Sequence, residues 1–181
     1  MTWRNQLPQL EGWPLLPCGA GAKGKAPIDP TTGHGLSDWQ TLAFTPDQII
    51  GMNGVVSCVG SRFGPDADFR LALDIDGTSA KQFCLDQGCS FDDGVGWAIT
   101  RSTSEDRLKV VVWLPEELRH FLLDDDGLPL GKVVLTTKPP VYEEHAEGMK
   151  ILIEPAEQIE LFYGAGQCIV LGEHKESGGE Y

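Results

Sequence analysis

The stretch Leu71-Ala72-Leu73-Asp74-Ile75-Asp76-Gly77 constrains this chain more than any other. Its apolar residues reach two carboxylates separated by one residue, so 69–76 reads as a buried central strand with an acidic end. Successive side chains of a strand alternate faces. Asp74 and Asp76 therefore point the same way, about 6.6 Å apart along the backbone. Two carboxylates so placed can share divalent cations, and a metal pair ~3.5–4 Å apart activates an attacking oxygen while neutralising a leaving phosphate. The same residues also suit a strand running into an Asx turn, where Asp and Gly serve local hydrogen bonding and a positive φ.

Composition sets the frame for that strand. With 181 residues, 41% hydrophobic and 23% charged, the chain can close one core, and a single domain over 1–181 is expected. Its longest apolar runs, such as 110–114 and 168–171, fall far short of the ~20 residues of a membrane helix. The opening Met1-Thr2-Trp3-Arg4-Asn5-Gln6 lacks the basic segment, apolar stretch and cleavage site of a secretory leader, which points to the cytoplasm. Cys18, Cys58, Cys84, Cys89 and Cys168 form no CxxC pair and read as reduced, buried thiols. His34, His120, His145 and His174 show no ligand spacing, which argues against a histidine-based metal site. The net charge of −13 opposes non-specific attraction to nucleic acid, so any polynucleotide must meet a local basic groove.

The first forty-five residues are rich in Gly and Pro, and the segment 19–27 resembles a phosphate loop without the GxxxxGK[ST] ending. It reads as a loop carrying Lys23 and Lys25. Thr45 caps a short helix that opens with Pro46. A strand is expected over 54–59, a polar loop over 61–68 and a helix over 78–87. Strands at 97–101 and 108–114 form a hairpin around the polar turn 102–106. Over 115–148 the pattern is hard to decipher: a helix at 115–123, then a solvated acidic turn at Asp124-Asp125-Asp126-Gly127. Three strands, 150–154, 158–163 and 167–171, end the chain, the last two joined by the hairpin signal Gly164-Ala165-Gly166. Glu160 lies mid-strand, where a buried carboxylate needs a cation or donor, and is the best third metal ligand beside Asp74 and Asp76. Strands and helices without regular βα alternation indicate α+β, with mixed or antiparallel sheets and flanking helices.

The order of these features resembles a known family. Trp13-Pro14-Leu15-Leu16-Pro17, Lys25-Ala26-Pro27, Trp39, the Leu73-Asp74-Ile75-Asp76-Gly77 strand, a Ser/Thr turn leading into a strand, and Glu160 with Gly166-Gln167-Cys168-Ile169-Val170 are similar to the bifunctional DNA primase/polymerase domain. This is the prim-pol domain of the archaeo-eukaryotic primase superfamily, met in phages, plasmids and mobile elements. The closing stretch from Leu171 to Tyr181, with His174, resembles that family's last segment. The resemblance implies an RRM-like catalytic core around an acidic metal cleft, with Asp74, Asp76 and Glu160 as catalytic ligands of Mg²⁺ or Mn²⁺. It further implies DNA-templated nucleotidyl transfer, a single-stranded DNA template, NTP or dNTP substrates, and a helicase domain or protein alongside in a longer replication protein.

The family's Ser-x-His element has no histidine here. Its place is taken by Ser104 with Arg107 and Lys109, two cations on one strand face that suit a triphosphate. His174 is a further nucleotide candidate, and Lys23, Lys25 and Arg101 are candidates for weak template contact. Two other readings stand beside this one. Asp74-Ile75-Asp76-Gly77-Thr78 matches the DxDGT signature of haloacid-dehalogenase-like phosphatases, with Asp74 as nucleophile, although those enzymes place it on the first strand of a Rossmann-like domain. The missing histidine motivates the other, a degenerate nucleotide-binding replication module.

Overall fold

The computed structural model describes residues 2–20, 24–52, 54–91, 96–145, 148–174 and 178–181, apart from the side chains of Ala20, Arg101 and Ala165. A 3-10 helix, Trp3–Leu10, turns Trp3, Leu7 and Leu10 inward and leads into β1 (Leu15–Ala20) and β2 (Ala26–Pro27). Helix α1 (Pro46–Gly51) starts at a capping box in which Thr45 and Gln48 satisfy each other's backbone N–H groups. Then come β3 (Cys58–Phe63), β4 (Arg70–Asp76), α2 (Thr78–Asp86), β5 (Trp97–Arg101) and β6 (Ser104–Trp113). After a 3-10 helix, Glu116–Leu122, the chain forms β7 (Gly131–Lys138), β8 (Val141–Glu144), β9 (Lys150–Glu154), β10 (Glu157–His174) and β11 (Gly179–Glu180). The protein is α+β, mostly antiparallel sheet with few helices. No helix among the described residues is long and apolar enough to cross a membrane.

One large sheet runs β2-β1-β3-β10-β4-β6-β5, with β7 and β11 also paired to β10. The long β10 is its spine. Its first part lies between β4 and β7, and its second part pairs with β3. The hairpin expected at Gly164-Ala165-Gly166 is instead a bulge within this one strand. Gly164 and Gly166 adopt φ of 100° and 112°, and the register against β3 shifts between Gly164 and Gln167. Gly164 also faces Gly64 so closely that a Cβ on Gly64 would lie 2.6 Å from the Gly164 nitrogen. Glycine pairs read locally as a turn here serve a close approach of two backbones.

Other boundaries move for related reasons. β3 lies at Cys58–Phe63, not 54–59, and takes in part of the expected loop, because Ser61 is buried between β1 and β10. β6 begins at Ser104, which shortens the expected turn. The helix expected over 115–123 is 3-10. The acidic turn is confirmed by Asp124 Oδ1, which accepts from the Asp126 and Leu128 N–H groups at 3.0 and 2.8 Å. Cys18, Cys58, Cys84 and Cys168 are buried free thiols, whereas Cys89 is exposed.

The two faces of the β10-β4-β6 region have different covers. Helix α2 packs Ala80 and Cys84 over Ile75, Leu108 and Ile159. On the opposite face, Phe162, Ala72 and Val111 stand side by side across the three strands and join the core built on Trp3, Leu7, Leu10 and Trp13. That cover ends at this row. The next rows along the same face are polar, and they contain Asp74 and Asp76.

Candidate active site

Cross-strand register assembles the site. Asp74 on β4 lies opposite Glu160 on β10 and opposite Lys109 on β6; Asp76 lies opposite Gln158 and Arg107 on the same two strands. Two polar rows, Glu160-Asp74-Lys109 and Gln158-Asp76-Arg107, thus cross the centre of the sheet on one face. Directly opposed residues stand ~4.5–5.5 Å apart at Cα, within reach of each other's side chains. Lys132 joins from β7, where it lies opposite Phe162.

Each carboxylate is held by a cation. Lys109 Nζ lies 2.7 Å from Asp74 Oδ2, Arg107 Nε 2.9 Å from Asp76 Oδ1, and Lys132 Nζ 2.6 Å from Glu160 Oε1. Gln158 Nε2 also donates to Glu160 Oε1 at 2.7 Å. The pairs differ in depth: Lys109 is 3% exposed, whereas Arg107 and Lys132 keep open sides. Burial by itself disfavours the Lys109 ammonium, but Cys168, Asp74 and Tyr181 around it outweigh that cost and raise its pKa above the ordinary lysine value. Burial pushes the Cys168 thiol up to about 12, so at neutral pH it is uncharged and Asp74 is the ionic partner that matters.

A cavity of about 160 Å³ opens beside these rows, lined by Asp74, Lys109 and Glu160 together with Lys25, Gln167 and Tyr181. Gln167 Nε2 donates to the Lys25 carbonyl at 2.8 Å, which ties the loop after β1 to the rim. The Tyr181 ring centre lies 4.8 Å from Lys109 Nζ, a cation–π distance, and 5.4 Å from the imidazole of His174. His174 is itself buried. Tyr181 is positioned by its N–H, which donates to the Gly172 carbonyl, and by Glu180, whose backbone exchanges hydrogen bonds with Ser102.

Of the residues expected from sequence, Asp74, Asp76, Glu160, Arg107 and Lys109 share this face, and Lys25 stands at its rim. Ser104 does not join them: it stands opposite Arg101 at the start of β6, beyond the register shift that follows Leu108, and does not line this cavity. Lys23 lies outside the described residues, as does the side chain of Arg101. Lys132, Gln158 and Tyr181 were missed. For Gln158 the signal was available, since it precedes Glu160 by one alternation; for Lys132 and Tyr181 only the pairing of distant strands brings them in. Glu157 was missed too, and its role is local. Its Oε2 accepts the Ser79 N–H at 2.5 Å, and that bond holds its carboxyl below the usual range. It caps the start of α2, where Gly77 at φ 112° leaves no room for a Cβ against the Glu157 side chain.

The three carboxylates offer only oxygen donors, a set that suits a hard cation such as Mg²⁺ or Mn²⁺. Among the described residues, no three of His, Cys, Asp and Glu are grouped closely enough to hold a metal ion in the present arrangement. In this arrangement each of the three carboxylates is paired with its own cation. No family model, characterised protein or solved structure matches this chain.

Proposed function

We propose that this chain carries out DNA-templated nucleotidyl transfer, as primer synthesis or DNA polymerisation, in an RRM-like primase-polymerase core. The observation that carries this reading is the register of β4 against β10. It sets Glu160 opposite Asp74, with Asp76 on the same face, although eighty residues separate the strands. Asp74, Asp76 and Glu160 would hold Mg²⁺ or Mn²⁺, which when bound supplies charge neutralisation at phosphate and a lowered pKa at an attacking hydroxyl. Arg107, the most open of the cations on β6, takes the triphosphate through its planar fork. Lys109 and Lys132 add point charges on either side of the carboxylates. Lys25 at the rim and Tyr181 over Lys109 bound the space in which a nucleotide fits, and His174 acts through Tyr181. Carboxylates and basic groups thus form the two halves of a site for a cation bound to a polyphosphate.

The topology around β4 also weighs against the phosphatase reading. Both neighbours of β4 are antiparallel, whereas a DxDGT nucleophile sits on a strand of a parallel Rossmann-like sheet. The three ion pairs favour a second reading, a nucleotide-binding replication module without turnover, since each carboxylate is already neutralised within the chain.

Incubation with Mg²⁺ or Mn²⁺, a single-stranded DNA template and labelled nucleotides tests the proposal. Template-directed products are expected, reduced on the order of a hundredfold or more by Asp74→Asn, Glu160→Gln or Arg107→Gln. Nucleotide binding without products under either metal would select the non-catalytic module. Phosphate release from small phosphomonoesters that is lost in Asp74→Asn would overturn the polymerase reading.

A further inference from the structure

Among the described residues, strands β8 and β9 pair only with each other, and every residue in both is exposed. A lone two-stranded hairpin is at best marginally stable in water, and this one presents Val141, Tyr142, Ile151, Leu152 and Ile153 to solvent. Surfaces of this kind mark interaction sites. We propose that β9 is a dimerisation edge, on which two copies of this chain pair their β9 strands antiparallel about Leu152.

The sequence of the strand selects that partner. Lys150-Ile151-Leu152-Ile153-Glu154 is charged only at its ends, with opposite signs. Antiparallel pairing about Leu152 sets Lys150 of each copy against Glu154 of the other, Ile151 against Ile153, and Leu152 against itself. Each contact recurs by the two-fold axis, as a closed dimer requires. Parallel pairing would instead set like charges opposite each other. The outer edge of β8 is a poor alternative, because Glu143 and Glu144 have no basic residue on that strand to meet them and each chain already carries a net charge of −13.

Two further observations fit. Among the described residues Lys150 has no ion-pair partner, whereas Glu154 Oε2 lies 2.8 Å from Lys138 Nζ, at the point where the hairpin leaves β7 and β10. In the dimer Glu154 is shared between that lysine and the other copy's Lys150. The apolar side chains of the hairpin are 44% to 61% exposed. A sheet edge with an unbroken apolar centre is otherwise an aggregation hazard, and pairing removes it. This inference does not depend on how the carboxylate face is read.

Sedimentation velocity on the full chain over a range of concentrations tests it. Wild type is expected to dimerise. Leu152→Asp, at an exposed position, should be monomeric, with a melting profile that matches wild type at dilutions where both are monomeric. Lys150→Glu and Glu154→Lys should each weaken self-association by about tenfold or more through two like-charge contacts. An equimolar mixture of those two variants should recover the dimer as a heterodimer, since every 150–154 contact then joins opposite charges. Amides of 150–154 should gain hydrogen-exchange protection as concentration rises. A wild type that stays monomeric at all concentrations, or a dimer indifferent to both charge substitutions, overturns the proposal.

Discussion

Strands β4 and β9 depart from ordinary strand chemistry in opposite directions. β4 lies at the centre of the large sheet with a strand on each side, yet it carries two aspartates on one face. β9 belongs to an exposed two-stranded hairpin, yet its middle is Ile151-Leu152-Ile153. Charge in the interior is held by partners from neighbouring strands; apolar surface on the outside has no cover among the described residues. Both arrangements have a cost, and in both cases the residues opposite decide what the strand can do.

The sharpest way to break this contrast is Asp74→Ala. It leaves the Lys109 ammonium buried without its carboxylate, and unfolding in urea should show a loss of about 3–5 kcal/mol, toward the lower value because Asp74 keeps some access to water. If the loss is the stranded charge and not packing, Asp74→Leu combined with Lys109→Met recovers most of it. On the other face of β4, Ile75→Ala opens a hole under α2 among Ala80, Cys84 and Leu108. It should cost about 2–4 kcal/mol by the same measurement.

A pH titration separates the cap of α2 from the ion pairs. The Glu157 carboxyl lies below its ordinary 4.5 in the folded chain, through the Ser79 N–H first. Its contribution is therefore complete above about pH 4.5 and is lost as pH falls through the folded-state pKa. Glu157→Gln should flatten the fall in stability on the acid side of that value and leave the neutral range parallel to wild type. The smallest effect belongs to β9: in dilute monomer, Ile153→Thr should change unfolding stability by no more than about 0.5 kcal/mol. A larger loss would mean that β9 is supported by its own chain, and the contrast with β4 would fail.

Local chemistry made several parts of the fold legible. Thr45, Pro46 and Gln48 carry a complete helix start within four residues, and the helix is there. The apolar run before Asp74 and the alternation of 97–101 likewise needed no distant partner to be read as strands. The errors arose where a residue's meaning depends on what faces it. Ser61 looks like loop chemistry but is buried between two strands, and Gly164 looks like a turn but lets two backbones approach. β7 gave no alternation because the side chains at 132–136 are exposed on both faces, so neither a polar nor an apolar side was imposed.

The same division holds for the carboxylates. Sequence alone determined that Asp74 and Asp76 share a face, since that follows from the two-residue period of any strand. It also marked Glu160 as a charge placed mid-strand, and Arg107 and Lys109 as two cations on one strand face. Only the tertiary structure decided that Glu160 lies opposite Asp74 and that Lys132 answers Glu160 from β7. It alone placed Tyr181 over Lys109. Strand order and register are properties of which strands meet, set by burial summed over the whole sheet, and no local spacing encodes them.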